Sequence, residues 1–253
     1  ALCAAFACGE EPTQLVSTEP HALVVLSGDD QFEAVGTELP EPLVVRVVNA
    51  SDEPIANQII NFRVVHGEGS VFAVAALTNS DGIARERWTL GTSVADSQVV
   101  EARAVDNETG AGLVFARFVA TALAGAPTRI ETISGNTQAA VVGSTLSDSL
   151  AVRVRDRYGN PVPTATVSWS VLSGGGSLSA ATTATNTDGL ASVSWTLGAT
   201  TGTQLAEARI TPTAAVSFSA SANPAPITLI KIAGDGQVAG PATAVAGAAW
   251  VRA

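Results

Sequence analysis

Methionine is absent from all 253 residues, position 1 included, so the sequence is expected to begin inside a longer reading frame. Cysteine occurs twice, at Cys3 and Cys8, and the 245 residues that follow have none. A body without cysteine does not depend on disulfides, and it cannot be a thiol enzyme or a zinc ribbon. Histidine is also confined to two positions, His21 and His66. No arrangement of Ser, Cys and carboxylate is repeated around either one, which argues against a histidine-based catalytic set. Positive charge is scarce too, 13 basic against 23 acidic residues, for a formal net charge of −10. That balance argues against a nucleic-acid or anionic-membrane surface, since both need clustered Lys and Arg. No run of 18 apolar residues occurs, so no segment is long enough to cross a membrane as a helix. Sustained helical spacing is missing as well.

What remains points to sheet. Hydrophobic residues make up 46% of the chain and charged residues only 14%, ample material for packed cores and far from the composition of a disordered chain. Aromatics are few, and Val, Ala, Thr and Ser fill the space, a mixture that favours pleated sheet over helix. The arginines come singly at alternating positions, as in Arg85 and Arg87 or Arg153 and Arg155, which reads as the solvated face of a sheet.

The first residues stand apart. Ala1-Leu2-Cys3-Ala4-Ala5-Phe6-Ala7 is small and apolar, and the chain turns polar at Cys8-Gly9-Glu10-Glu11-Pro12. This has the character of the tail of a secretory signal. Ala5-Phe6-Ala7-Cys8 is similar to a bacterial lipobox, with Ala5 where Leu is usual, so Cys8 is a candidate lipid-attachment residue and the sole expected contact with a membrane. An uncleaved signal tail and a Cys3–Cys8 disulfide are the alternatives. Residues 1–20 are therefore set apart as signal tail, lipobox and tether.

The body repeats itself. A shift of 107 residues lays Ser27-Gly28 on Ser134-Gly135, Gln31 on Gln138, and Leu43-Val44-Val45-Arg46-Val47 on Leu150-Ala151-Val152-Arg153-Val154. The same shift lays Pro54 on Pro161, Phe62 on Trp169, Asn79-Ser80-Asp81-Gly82 on Asn186-Thr187-Asp188-Gly189, and Trp88-Thr89-Leu90-Gly91 on Trp195-Thr196-Leu197-Gly198. After a one-residue slip, Glu101-Ala102-Arg103 meets Glu207-Ala208-Arg209. A third copy begins near Ile227, where Gly234-Asp235-Gly236-Gln237 parallels Gly28-Asp29-Asp30-Gln31. Within each copy, apolar and polar residues alternate in short runs punctuated by turn residues, as in Thr166-Val167-Ser168-Trp169-Ser170-Val171. About seven strands in roughly 100 residues is the arithmetic of an immunoglobulin-like sandwich. The expected fold is thus all-β: tandem immunoglobulin-like β-sandwiches arranged end to end. Residues 21–122 would form the first, 127–222 the second, and 227–253 the truncated start of a third or a donor-strand segment. Phe62 or Trp169, with Trp88 or Trp195, should fill the cores in place of a disulfide. The joins, Ala122-Leu123-Ala124-Gly125-Ala126-Pro127 and Ala222-Asn223-Pro224-Ala225-Pro226, are short and stiffened by proline.

Several strings resemble those of a known family. Asp156-Arg157-Tyr158-Gly159-Asn160-Pro161-Val162-Pro163 resembles the D-x-x-G-N-P-V-P signature of bacterial Ig-like group 1 (Big-1) domains, the repeats of invasin/intimin-type surface proteins. Ser173-Gly174-Gly175-Gly176-Ser177, Thr187-Asp188-Gly189-Leu190-Ala191 and Trp195-Thr196-Leu197-Gly198 resemble its downstream motifs. The first copy departs from the pattern, with Ser51-Asp52-Glu53-Pro54 in place of Gly-Asn-Pro and Gly67-Glu68-Gly69-Ser70 in place of the triple glycine. The resemblance covers the chain from about residue 21 and implies a secreted, cell-surface rod of stacked domains. The lectin-like receptor-binding domain of such adhesins has no counterpart here.

Other motifs carry little chemistry. Gly174-Gly175-Gly176 leads into Ser177-Leu178-Ser179, a strand rather than the helix that a phosphate cradle needs. Asp29, Asp30 and Asp235 supply too few carboxylates for calcium, and Asn107-Glu108-Thr109 is a coincidental glycosylation sequon. No cofactor, metal or catalytic residue is expected. Three functions stay open: a lipid-anchored surface stalk with a structural or adhesive role, a filament subunit assembled by β-strand addition, and an accessory module of a larger secreted enzyme. The expected partners are a host or surface ligand or further copies of the chain.

Overall fold

The computed structural model describes residues 18–233, 236–238, 241 and 250–252. Every regular element among them is a strand. The first unit contains β1 (Ala22–Ser27), β2 (Gln31–Ala34), β3 (Leu43–Val48), β4 (Ile59–His66), β5 (Ser70–Val71), β6 (Ala75–Leu77), β7 (Ile83–Glu86), β8 (Trp88–Thr89), β9 (Gln98–Val105) and β10 (Gly112–Leu123). The second unit contains β11 (Arg129–Ser134), β12 (Gln138–Val141), β13 (Leu150–Arg155), β14 (Thr166–Ser173), β15 (Gly176–Leu178), β16 (Thr182–Ala184), β17 (Leu190–Val193), β18 (Trp195–Leu197), β19 (Gly202–Thr211) and β20 (Ala214–Asn223). Beyond them β21 (Ile230–Ala233) pairs antiparallel with β22 (Trp250–Arg252).

The sequence repeat is a structural repeat. In the first unit the sheets run β1-β3-β7, β2-β10-β9-β4-β6 and β5-β8, and adding ten to each label gives the three sheets of the second. Each unit is an immunoglobulin-like sandwich, and the two follow one another in tandem. Period-two patterning builds them: along β13, Leu150, Val152 and Val154 are buried while Ala151, Arg153 and Arg155 are not. The first core collects Leu43, Val45 and Val47 from one sheet and Ile60, Phe62, Val100 and Phe118 from the other, with Trp88 among them. In the second unit Trp169 takes the place of Phe62. Its ring centroid lies 6.2 Å from that of Phe218, and its indole N–H donates to Thr183 Oγ1 at 2.8 Å.

One feature of each unit has no counterpart in simple alternation. The run from Ala22 to Ala34 is broken at Gly28, and β1 and β2 belong to different sheets. Gly28 has φ +93°, and a Cβ there would sit 2.3 Å from the Pro42 carbonyl oxygen, so only glycine fits. The side chain of Gln31 then fixes the crossing. Its Nε2 donates to the Gly28 and Glu41 carbonyls, and its Oε1 accepts from the Glu41 N–H. Gly135 and Gln138 repeat the device against Asp148. After the crossing, β2 lies parallel to β10, and β12 lies parallel to β20.

Candidate interaction surface

The residues singled out for chemistry are mostly occupied with structure. Cys3, Cys8 and Asp235 lie outside the described residues. The His66 Nδ1 is 2.7 Å from the Ser97 carbonyl oxygen. Among the described residues no group of three His, Cys, Asp or Glu side chains could hold a metal. Asp29 Oδ1 accepts the Val119 N–H at 2.7 Å, a task that Asn136 performs for Ser219 in the second unit. An amide serves equally well there, so the charge of Asp29 is not required. The sequon residue Asn107 is tied down: Oδ1 accepts from the Ile59 N–H and the Gln58 side chain, and Nδ2 donates to the Asn57 carbonyl. Gly174 and Gly175 join β14 to β15, which begins at Gly176.

The two copies of the turn before the repeated proline solve one problem with the carboxylate and the amide at opposite ends. Asp156 Oδ1 accepts from the Tyr158 and Asn160 N–H groups, and Asn160 Nδ2 donates to Asp156 Oδ2 at 2.9 Å. In the first copy Asn49 Oδ1 accepts from Ser51 and Glu53, and Asn49 Nδ2 donates to the Glu53 carboxylate at 3.0 Å. Carboxylate and amide have exchanged ends, so Ser51-Asp52-Glu53-Pro54 keeps the turn despite lacking the family's Gly-Asn-Pro. Burial raises the Asp156 pKa. The Asn160 side chain and the N–H groups of Gly125, Asn160 and Tyr158 outweigh it and hold the carboxyl below its ordinary 3.8. A depressed pKa means that the stabilisation is complete above the ordinary value and fades as pH falls through the folded one. Acid titration followed by carboxyl 13C NMR should place Asp156 below 3.8. Asp156→Asn should remove its share of the acid-induced loss of stability.

A second repeated device has no motif to announce it. Gln98 and Gln204 are buried in β9 and β19. Gln204 Oε1 accepts the Gly198 N–H at 2.8 Å, while Nε2 donates to the Gly198 and Thr200 carbonyls. Gln98 does the same for Gly91, Ser93 and Asp96. Each thereby ties down the loop after the Trp-Thr-Leu-Gly string. The glycine run lies directly over this amide: Gly174 has φ +85°, and a Cβ there would come within 2.2 Å of Gln204 Cγ. Gly67 stands in the same relation to Gln98. Two strings that looked separate in sequence are parts of one structure. The available signal was a polar residue recurring in both copies inside an otherwise alternating strand.

Where the copies differ is the outer face of the five-stranded sheet. In the first unit one rung runs Arg63, Glu101, Arg117 across β4, β9 and β10, and the next runs Asn61, Arg103, Phe115. The corresponding rungs of the second unit read Ser170, Glu207, Ser217 and Ser168, Arg209, Ala215. Both middle strands keep a Glu–Arg pair, 2.6 Å for Glu101–Arg103 and 2.8 Å for Glu207–Arg209. The first unit adds arginines on either side of Glu101, the nearer being Arg117 at 3.6 Å. Glu101 is buried beneath them, and the Arg117 guanidinium lies 5.8 Å from the Phe115 ring centroid. Phe115 is 60% exposed and Phe32, on the edge strand β2, is 68% exposed. Val119, Leu123 and Leu113 continue the apolar surface along β10. Beside them is a shallow recess of about 230 Å³ lined by Arg103, Gly112, Leu113, Val114 and Phe115. Gly112 leaves room for the Arg103 side chain, since a Cβ there would strike Arg103 Cδ at 2.7 Å.

Comparison with known proteins gives one family. Residues 131–230 match the family model described as a bacterial Ig-like domain (group 1). No curated protein matches the chain in sequence. Solved structures similar to it include the D0-D1 domain of intimin, 24% identical over 79% of this chain and 95% of that one, with a TM-score of 0.29. The Escherichia coli adhesin FdeC is 16% identical over 79% of this chain and 63% of that one, with a TM-score of 0.46. A beta-glycosidase from Bacteroides vulgatus is 14% identical over 79% of this chain, with a TM-score of 0.33, and the chain spans 24% of its length.

Proposed function

We propose, from the match of residues 131–230 to the model of a bacterial Ig-like domain (group 1), that the chain is a non-catalytic, extracellular segment of a bacterial surface protein with a structural and adhesive role. The observation that carries this reading is the exact-order duplication of the fold: the first unit repeats the second sheet for sheet. Tandem sandwiches with separate cores are the architecture of a spacer that displays surface at a distance from its anchor. The sandwiches would occupy residues 21–122 and 127–222, joined by the short proline-bearing segments. Cys8 would carry the lipid that holds the array to the membrane, with the residues after it as the tether.

Two measurements test this. Antibodies raised against the second unit should label intact cells, and brief protease treatment of those cells should remove the label. Label seen only after lysis would overturn the surface reading. Metabolic labelling with a radioactive fatty acid should tag the wild type and not Cys8→Ser; equal labelling of both would remove the anchor and leave the display role standing. The exposed Ile227, Leu229, Ile230 and Ile232 favour a second reading, in which the segment from Ile227 completes a sheet edge of another copy and builds filaments. Filaments of constant axial repeat in negative-stain micrographs would support it, and separate particles would exclude it.

A further inference from the structure

We propose that the outer face of the five-stranded sheet in the first unit, centred on Arg63, Arg103, Phe115 and Arg117, is a binding surface for a protein whose contact surface is acidic and carries apolar side chains. The inference deepens the adhesive reading above and rests on it, because it names the surface that such display would present.

The internal duplication supplies the control. Both units build this sheet with the same strand order and the same rungs. The second unit makes it with Ala215, Ser217, Ser219 and Ser221 where the first has Phe115, Arg117, Val119 and Thr121 on β10. Across the sheet, Ala139 faces Ser221 as Phe32 faces Thr121, and Ser170 holds the rung that Arg63 holds. The fold therefore does not need the aromatic and cationic residues. Exposing them costs solubility without contributing to the core, and that calls for another use.

Composition and charge then identify the partner. Aromatic residues and Arg are the types enriched at protein interfaces, whereas Ser and Ala are depleted there. The first face has the enriched set and the second the depleted one. Neutral hydrogen-bonding side chains, which a glycan site would need in number, are few: Asn61 and Thr121 are the main ones on these rungs. Three arginines around Glu101 leave this face positive on a chain whose net charge is −10. Packing the same face of two copies together would set arginine against arginine, so the complement is an acidic surface of another protein. The size fits as well. The five strands, of 4, 12, 8, 8 and 3 residues, at about 3.4 Å per residue and about 4.8 Å per strand give on the order of 600 Å². That is the lower end of what one partner contributes to a standard interface, about 600–1,000 Å².

The test uses the full chain and a random peptide library displayed on phage. The control protein is the quadruple variant Arg63→Ser, Phe115→Ala, Arg117→Ser, Val119→Ser, each replacement being the residue the second unit carries at that rung. Circular dichroism should show the same sheet content in both proteins. Panning on the wild type should enrich peptides rich in Asp and Glu interspersed with apolar residues. Synthetic versions should bind the wild type at least tenfold more tightly than the variant, with affinity falling as salt rises from 50 to 500 mM. Failure to enrich, or peptides that bind both proteins equally, would overturn the proposal. So would alginate or heparin binding that depends on these four residues when peptide binding does not, or dimerisation of the wild type that the variant loses. Cell-surface labelling is read independently, so a displayed protein with no peptide binding would sink this inference and leave the display role intact.

Discussion

Trp195→Ala should cost the second unit about 3–5 kcal/mol, the usual penalty for emptying a fully buried aromatic site. Trp195 is 0% exposed, at the head of the Trp-Thr-Leu-Gly string, and lies among the largest buried side chains of the molecule. Its indole N–H has no hydrogen-bond partner among the described residues, so its contribution is one of volume and contact. Trp195→Phe, which keeps most of that volume, should therefore cost less than half as much. Each unit has its own core, and urea unfolding followed by the resonances of each unit should resolve two transitions. The variant should lower the midpoint of the second unit by about 1 M or more and leave that of the first nearly unmoved. Equal shifts in both would show that the units unfold as one.

Gln98→Leu should destabilise the first unit by about 1–3 kcal/mol although leucine is the more apolar residue, the usual cost of leaving a buried polar group unpaired. The replacement fills similar space but strands the buried Gly91 N–H, and it takes the donor from the more exposed Ser93 and Asp96 carbonyls. The rival expectation is that a buried strand position gains from an aliphatic side chain, which would raise the urea midpoint. Hydrogen exchange at the Gly91 amide separates the two: protection should fall well before global unfolding if the amide clamp holds this loop. Gln204→Leu should do the same to Gly198, whose N–H is held at the shorter distance of 2.8 Å. Gly174→Ala should resemble it, because its methyl group would displace the same glutamine.

The parts of this molecule that were legible in the sequence are those in which one residue type performs a local task. Alternation in Leu150-Ala151-Val152-Arg153-Val154 is a direct imprint of the pleat, and burial along β13 follows it residue by residue. Phe62, Trp88, Trp169 and Trp195 are buried as their size and spacing suggested. Asn79 and Asn186 each accept two N–H groups of their own turns, which is why Asn-x-Asp-Gly recurs at the same place. Ten short strands per unit, where about seven longer ones were expected, reflect breaks that alternation does not mark. Gly28-Asp29-Asp30 looks like any surface turn, but it sends one run into two sheets. Gln98 was hidden because a polar residue in an alternating strand reads as outward-facing, and its partners lie in a loop that alternation does not define. The first unit's sheet face was only half visible. Arg63, Arg103 and Arg117 come from three strands, and nothing in their spacing says that they share adjoining rungs.

The parallel pairing of β2 with β10 has one more consequence. These strands lie near the two ends of the unit, and a pull on the chain drags β2 and β10 in opposite directions along a common axis. Their four rungs, Ala120–Gln31 through Leu123–Ala34, are then strained together in shear rather than opened one after another. The second unit has the same four-rung clasp between β12 and β20. Each sandwich should consequently resist stretching far better than its equilibrium stability implies, and yield abruptly once the clasp gives way.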